Sequence, residues 1–175
     1  MNASSKKEEI LKELYKCGKD PIYFLNTYAK IKHKQRGILP FKTWDFQDKV
    51  IQDFIDHEFN IILKSRQLGI STVSAGYVAW LMLFNQSKMV MVIATKQEVA
   101  KNFVTKVKVI LELLPPWFQK VAKVVVNNET SLRLSNYSEL KSSTPRRMLA
   151  GQRVYPFLSS TKRRTSRTWM KFGLL

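Results

Sequence analysis

One segment near the middle of the chain constrains the fold more than any other. Residues 59–63 form a short apolar run of strand length, residues 64–70 form a compact loop with one glycine, and residues 71–84 give a long apolar helix pattern. A strand, a loop and a helix in this order present free N–H groups at the helix N-terminus, where they can hold an anion. The sequence therefore predicts a phosphate-binding loop within an α/β fold.

The residues before this segment predict mainly helices. A capping-box pattern, Ser5 to Glu8, precedes apolar residues at helical spacing, which indicates an amphipathic helix over residues 6–17. Pro21 is suited to begin a second helix, and residues 45–57 carry a third apolar face. Between them, the run KIKHKQRGILPF (residues 30–41) is predicted to be a basic loop.

The residues after the loop alternate between strand and helix patterns. Residues 88–94 read as a buried strand, and residues 96–114 as a helix that two prolines terminate. Three short strand patterns then suggest a small antiparallel segment, at residues 121–126, 131–134 and 137–140. Strands that alternate with helices predict a mostly parallel sheet with flanking helices.

Charge is high and unevenly distributed along the chain. The 175 residues include 30 Lys and Arg against 13 Asp and Glu, a net charge of +17 that favours a polyanionic partner. Residues 145–175 hold eight of the basic residues and no acidic one, whereas residues 1–144 carry a net +9. A single cysteine, Cys17, excludes an internal disulfide. No window reaches the roughly 18 apolar residues of a membrane span, so we expect no membrane partner.

The loop fits the usual phosphate-binding pattern only in part. Against G-x-x-x-x-G-K-[ST] it matches at Gly69 and Ser71, while Lys64 stands at the first glycine and Ile70 at the lysine. The chemistry needs free amides, a cation near the β- and γ-phosphates, and a hydroxyl for Mg²⁺. Gly69, either Lys64 or Arg66, and Ser71 can meet these needs. The alternative is a loop that only turns a strand into a helix.

At these residues the chain resembles the large terminase subunits of tailed bacteriophages, ATP-driven motors that package DNA into procapsids and cut it. The run KSRQLGIST after NIIL is similar to the deviant Walker A loop of that family, in which an arginine commonly stands inside the loop. GILPFKTWDFQDKVI resembles the adenine-recognition stretch, and NNETSLRLSNYSELKSS the hairpin before the Walker B strand. The resemblance covers residues 20–144.

The resemblance implies a P-loop NTPase fold of the RecA-like class, with ATP and Mg²⁺ as cofactors. It assigns adenine recognition to Gln47 and the Mg²⁺ contact to Ser71. Residues that would contact the nucleotide are Gln47, Lys64, Ser65, Arg66, Gln67, Gly69, Ser71 and Thr72. It also implies double-stranded phage DNA, a portal and a small terminase subunit as partners. The implied location of the protein is the host cell cytoplasm. The implied regions are residues 1–58 with the adenine contact and residues 59–144 as a partial ATPase core.

The family pattern stops after Ser143. The expected apolar strand ending in Asp-Glu is absent, and no carboxylate follows Glu139. Suppose that each true codon begins at the third base of a codon for the printed sequence. The codons of Ser160 and Thr161 can then contain an Asp codon, and those of Thr161 and Lys162 can contain a Glu codon. The preceding residues then permit the apolar strand L-S-F-L-V-I. The hypothesis is that residues 145–175 are an out-of-frame translation, so that this chain alone hydrolyses little ATP.

Two other functions stay open at this stage. A helicase-like ATPase would share the loop order but should carry a lysine at position 70, and a small basic DNA-binding or regulatory protein would rest on charge alone. His33 and His57 have no partners at metal-ligand spacing. Trp44, Trp80 and Trp117 are expected in the core or in subdomain packing. A truncated sheet should leave the apolar side chains of residues 61–63 and 89–93 poorly covered.

Overall fold

The computed structural model describes residues 3–33 and 35–144, and the basic segment 145–175 lies outside the described residues. The chain begins with helix α1 (Ala3–Lys19), followed at once by α2 (Pro21–Tyr28). Asp20 separates the two helices: its carboxylate accepts a hydrogen bond from the Tyr23 N–H at 2.9 Å, and Pro21 occupies the first helical position. Both predicted helices are therefore confirmed, and α1 extends slightly beyond its predicted limits.

The basic run at residues 30–41 is a β-hairpin and not the predicted loop. Strands β1 (Lys30–His33) and β2 (Gly37–Pro40) pair antiparallel, with Ile31 opposite Leu39. Gly37 has φ +73°, a conformation that glycine adopts without strain, and it begins the second strand. The alternating Lys-Ile-Lys pattern was consistent with a half-exposed strand, but its charge favoured the loop interpretation.

Helix α3 (Asp45–Asp56) is confirmed, but the strand predicted directly after it is absent. Residues 59–63 form neither helix nor strand, and they pair with no strand among the described residues. Ile61 is 100% exposed and Leu63 95% exposed. A strand needs a neighbour to satisfy its backbone N–H and C=O groups, and the described part of the chain provides none beside this segment.

Helix α4 (Ile70–Phe84) is apolar on nearly every face because it forms the centre of the molecule. It packs against α2, α3 and α5 (Gln97–Glu112). Gly76 permits the close approach of α2, since a Cβ there would lie 2.6 Å from Leu25 Cδ2. The two predicted helices at residues 71–84 and 96–114 are confirmed.

The main sheet is mixed and not mostly parallel in the described residues. Its strand order is β3-β6-β5-β4, formed by β3 (Met89–Ile93), β4 (Val124–Asn128), β5 (Ser131–Leu134) and β6 (Glu139–Ser143). Only β3 and β6 run parallel, whereas β4–β5 and β5–β6 are antiparallel. The predicted antiparallel segment therefore contributes three of the four strands, and the described sheet contains one parallel pair where the fold class implied several.

Helix α5 packs on one face of this sheet, and the fold is a mixed α/β arrangement. Val90 and Val92 of β3 are buried, while Met89, Met91 and Ile93 on the opposite face are half-buried. The incomplete cover expected for this strand is thus confined to one of its faces.

Aromatic side chains join the helices into one core that spans both sides of residue 58. Phe118, in a short 3₁₀ helix (Pro116–Lys120), contacts the rings of Phe24, Tyr28 and Phe84. Trp80 and Trp117 pack against this core, as predicted. The prediction for Trp44 is wrong: its side chain is 66% exposed and contacts only the Phe46 ring among described aromatic residues.

The C-terminal end of α4 is held to the sheet by side chains of the β5–β6 turn. Asn136 Nδ2 donates to the carbonyl oxygen of Met82 at 2.7 Å and to that of Asn85 at 3.2 Å. The Ser138 hydroxyl also donates to the Asn85 carbonyl oxygen, at 2.7 Å. These contacts satisfy carbonyl groups that a helix end leaves without intrahelical partners. Among the residues described, no helix has the length and apolar character needed to cross a membrane.

Candidate nucleotide-binding loop

The loop at residues 64–69 leads directly into the first turn of α4. Gly69 is the N-cap residue with φ +71°, and its carbonyl oxygen accepts hydrogen bonds from Thr72 N at 2.8 Å and Val73 N at 3.0 Å. Gln67 also has a positive φ of 68°. The preceding amide groups at a helix N-terminus have no intrahelical acceptor, and the helix dipole favours an anion there. The amide groups of Ile70 and Ser71, before these two bonded ones, are the groups at this helix end that could face an anion.

Gln47 of α3 holds this loop in place. Its side chain is 7% exposed, its Nε2 donates to the Leu68 carbonyl oxygen at 3.0 Å, and its Oε1 accepts from Trp44 N at 3.3 Å. A Cβ on Gly69 would lie 2.9 Å from the same Nε2. The structure thus places Gln47 beside the loop, and the amide group to which the resemblance assigns adenine recognition is engaged by the protein backbone on both sides.

The two cationic side chains of the loop have no acidic partner in the described residues. Lys64 is half-buried, and its Nζ donates to the neighbouring Ser65 carbonyl oxygen at 3.3 Å. Arg66 is exposed, as are Ser65 and Gln67. Positive charge without a neutralising carboxylate is what an electrostatic attraction for phosphate needs.

Ser71 and Thr72 lie in the first turn of α4, and both are half-buried. Thr72 Oγ1 accepts a hydrogen bond from Lys106 Nζ of α5 at 3.4 Å. Desolvation lowers the pKa of Lys106. Sequence reasoning did not select this lysine. The signal was present, however, because Lys106 follows the buried Phe103 by three residues and precedes the buried Ile110 by four, which places it beside the apolar stripe of α5.

The residues present fit a polyphosphate better than a tightly held metal ion. The loop and the first turn of α4 carry backbone amides, the cations Lys64 and Arg66, and the hydroxyls of Ser71 and Thr72. Over residues 3–33 and 35–144, no group of three or more His, Cys, Asp or Glu could hold a metal. His33 has a local role, since its Nδ1 accepts from the N–H groups of Gln35 and Arg36 at 3.2 Å. Ser71 would be the metal contact, through a nucleotide-bound Mg²⁺.

No protein-family model matches this chain.

Proposed function

We propose that residues 1–144 are the nucleotide-binding part of an ATP-driven DNA-packaging motor of the large-terminase type, interrupted before its hydrolytic half. The loop, its cations and its hydroxyls would bind the phosphates of ATP. The family resemblance in the order of motifs supports the terminase assignment, and the α/β fold is compatible with it.

One observation carries this proposal: a buried glutamine from another helix braces a glycine-capped, cationic loop at the start of the central helix. Gln47 connects α3 to the loop, Gly69 turns the loop into α4, and Lys64 and Arg66 are left without acidic partners. Two cations without acidic partners among the described residues, beside a helix N-terminus, favour an anionic ligand over a loop that only connects two elements. The absent pairing at residues 59–63 does not affect these contacts.

Binding and hydrolysis make different demands on the site. Bound Mg²⁺-ATP would supply the transferable phosphoryl group. Within this chain, the amides and cations would hold the phosphates, and the Ser71 hydroxyl would reach the metal. Phosphoryl transfer depends on positioning and electrostatic stabilisation, which in this class of enzyme include an Asp-Glu pair. Residues after Glu139 contain no carboxylate side chain. We therefore expect ATP binding with negligible turnover by this chain alone.

ATP binding to the full 175-residue chain tests the proposal. Removing both loop cations, Lys64→Ala with Arg66→Ala, should weaken ATP binding by about tenfold or more, because each removes a charge-assisted contact. The matched control is Lys30→Ala with Lys32→Ala in the exposed hairpin, which removes the same charge and should leave ATP affinity nearly unchanged. Equal affinities in the two double variants would contradict the proposed ATP site. ATPase turnover well above background would contradict the expectation that this chain alone does not hydrolyse ATP.

The frame hypothesis has a separate and direct test. Nucleotide sequencing around codons 140–150 should show an alternative frame that encodes an apolar strand ending in Asp-Glu. If no frame encodes such a strand, the terminase interpretation of the C-terminal segment is wrong.

The net charge of +17 supports a second candidate, a basic DNA-binding module without ATP binding. In that case DNA affinity should depend on residues 145–175, and removal of the loop cations should have no effect on nucleotide binding. A DNA-binding titration of the chain with and without that segment, run beside the ATP measurements, distinguishes the two functions.

A further inference from the structure

Helix α5 brings one lysine to the first turn of α4. Lys106 lies 34 residues after Thr72 in the sequence, and its Nζ is 3.4 Å from the Thr72 hydroxyl oxygen. The two helices pack side by side, which fixes the base of this lysine relative to the loop. The contact is therefore a product of the tertiary fold and not of the loop sequence.

Other lysines of α5 have different partners. Lys101 forms an ion pair with Glu129, with 2.5 Å between Nζ and Oε2, and Lys108 donates to the Asn128 carbonyl oxygen. Both partners belong to the β4–β5 hairpin or its turn. Lys106 has neither a carboxylate nor a carbonyl partner in the described residues, only the neutral Thr72 hydroxyl. The Lys106 side chain is exposed, and an ammonium group bonded to one neutral hydroxyl can donate a further, charge-assisted hydrogen bond to an anion.

The loop lacks a cation at the position where the usual pattern has one. Ile70 occupies that position, and its side chain is 6% exposed, so it packs into the protein instead of facing a phosphate. Lys106 approaches the same helical turn from outside the loop. Its flexible side chain can move from the Thr72 hydroxyl to a nearby phosphate oxygen without a backbone change.

We propose that Lys106 is a phosphate-binding residue of this site, supplying from α5 the positive charge that Ile70 does not provide. This inference rests on the proposed nucleotide-binding function. It assigns the ligand class as a nucleoside polyphosphate, because a lone ammonium at the helix N-terminus would act on the phosphates and not on the base. Lys106 and the loop cations would then hold the phosphate chain from two directions.

Affinities of the full chain for ATP, ADP and adenosine test the inference. Lys106→Met keeps the aliphatic stem and removes the charge, so ATP should bind about tenfold more weakly. Adenosine affinity should be unchanged, and Lys106→Arg should recover most of the ATP affinity. Lys108→Met, one half-turn further along α5, is the matched control and should bind ATP like the unmodified chain.

The outcomes separate the two proposals. If the unmodified chain binds ATP and the Lys106→Met and Lys108→Met variants bind it equally well, the role of Lys106 is overturned while the nucleotide site stands. If Lys106→Met weakens ATP and adenosine to the same extent, the lysine is structural and the inference is also overturned. If the unmodified chain does not bind ATP, the proposed function itself fails.

Discussion

Gly69 connects backbone conformation to the integrity of the candidate site. Its φ of +71° lies in the left-handed region, and any Cβ there would meet Gln47 Nε2 at 2.9 Å. Both restrictions act at the same residue, so the loop tolerates no side chain at this position without a shift of the braced glutamine.

Substituting Gly69→Ala should lower the free energy of unfolding by ~1–3 kcal/mol, because it combines a left-handed alanine with a close contact to Gln47. Urea denaturation measures the loss. Adding Gln47→Ala to Gly69→Ala removes the contact but not the backbone strain, so the double variant should be less destabilised than the sum of the two single variants. Strictly additive losses would show that Gln47 and Gly69 do not interact.

Cys17 is the buried titratable group with the clearest pH consequence. Burial raises the pKa of its thiol from 9.0 to about 12, and the negative charge of Glu13 adds to the effect. The unfolded thiol releases its proton near pH 9, whereas the folded one retains it. The native state therefore binds more protons over this interval, and its stability must fall as pH rises.

We expect the free energy of unfolding to decrease by up to about 1.4 kcal/mol per pH unit above pH 9 on account of this thiol. Urea denaturation at pH 8.5 and 9.5 measures the slope below the range in which Tyr28 and Tyr77, whose pKa values are also raised, contribute strongly. The Cys17→Ala variant is less stable overall but should show a flatter slope. Identical slopes would rule out the thiol as the source.

At the scale of elements, the 3₁₀ helix closes the core formed by α2 and α4. Phe118 is 1% exposed, and its ring centroid lies 5.6 Å from that of Phe24 and 6.1 Å from that of Phe84. Edge-to-face geometry at both contacts adds to the burial of apolar area. The short helix therefore acts as a packing element and not only as a connection between α5 and β4.

Truncating this ring, Phe118→Ala, should lower the free energy of unfolding by ~3–5 kcal/mol, because it leaves a cavity between the 3₁₀ helix, α2 and α4. Thermal and urea denaturation provide the measurement. The matched control is Phe46→Ala on α3, whose ring is 38% exposed and should be far less sensitive. Comparable losses in the two variants would contradict the central position of Phe118.

Helices were predictable from the sequence because their signals are local. Pro21 at the start of α2 and the prolines that follow α5 mark helix ends directly. Strands depend on partners elsewhere in the chain, which explains the error at residues 59–63 and the missed hairpin at β1 and β2. Within the candidate site, the loop residues followed from sequence order, and Gln47 followed from the family resemblance. Lys106 did not, because only the packing of α5 on α4 brings it there.

At the scale of the whole molecule, exposed apolar residues before the loop favour association between copies of the chain. Phe59, Ile61 and Leu63 are 73%, 100% and 95% exposed, on a segment whose backbone pairs with no strand in the described residues. An exposed apolar segment that pairs with no strand is a site at which another chain can associate. The high positive charge opposes such association at low ionic strength and less so when salt screens it.

We expect the full chain to self-associate increasingly between low salt and 0.5 M NaCl, as sedimentation velocity can show. Ile61→Lys with Leu63→Lys should reduce this association while changing the free energy of unfolding by less than about 0.5 kcal/mol, since both side chains are exposed. A pair matched in charge at polar exposed residues, Gln52→Lys with Gln119→Lys, should have a smaller effect on association. Equal suppression by both pairs would attribute the effect to charge alone.

The two ends of α4 are held by different numbers of hydrogen bonds. Asn136 and Ser138 tie the carbonyl groups near Asn85 to the sheet, whereas the other end of this helix, about 22 Å away, is held chiefly by the amide of Gln47. Because Asn136 and Ser138 hold the C-terminal end, we expect fraying of the central helix to begin at Gly69. A ligand bound at the loop would stabilise the end from which the helix unwinds.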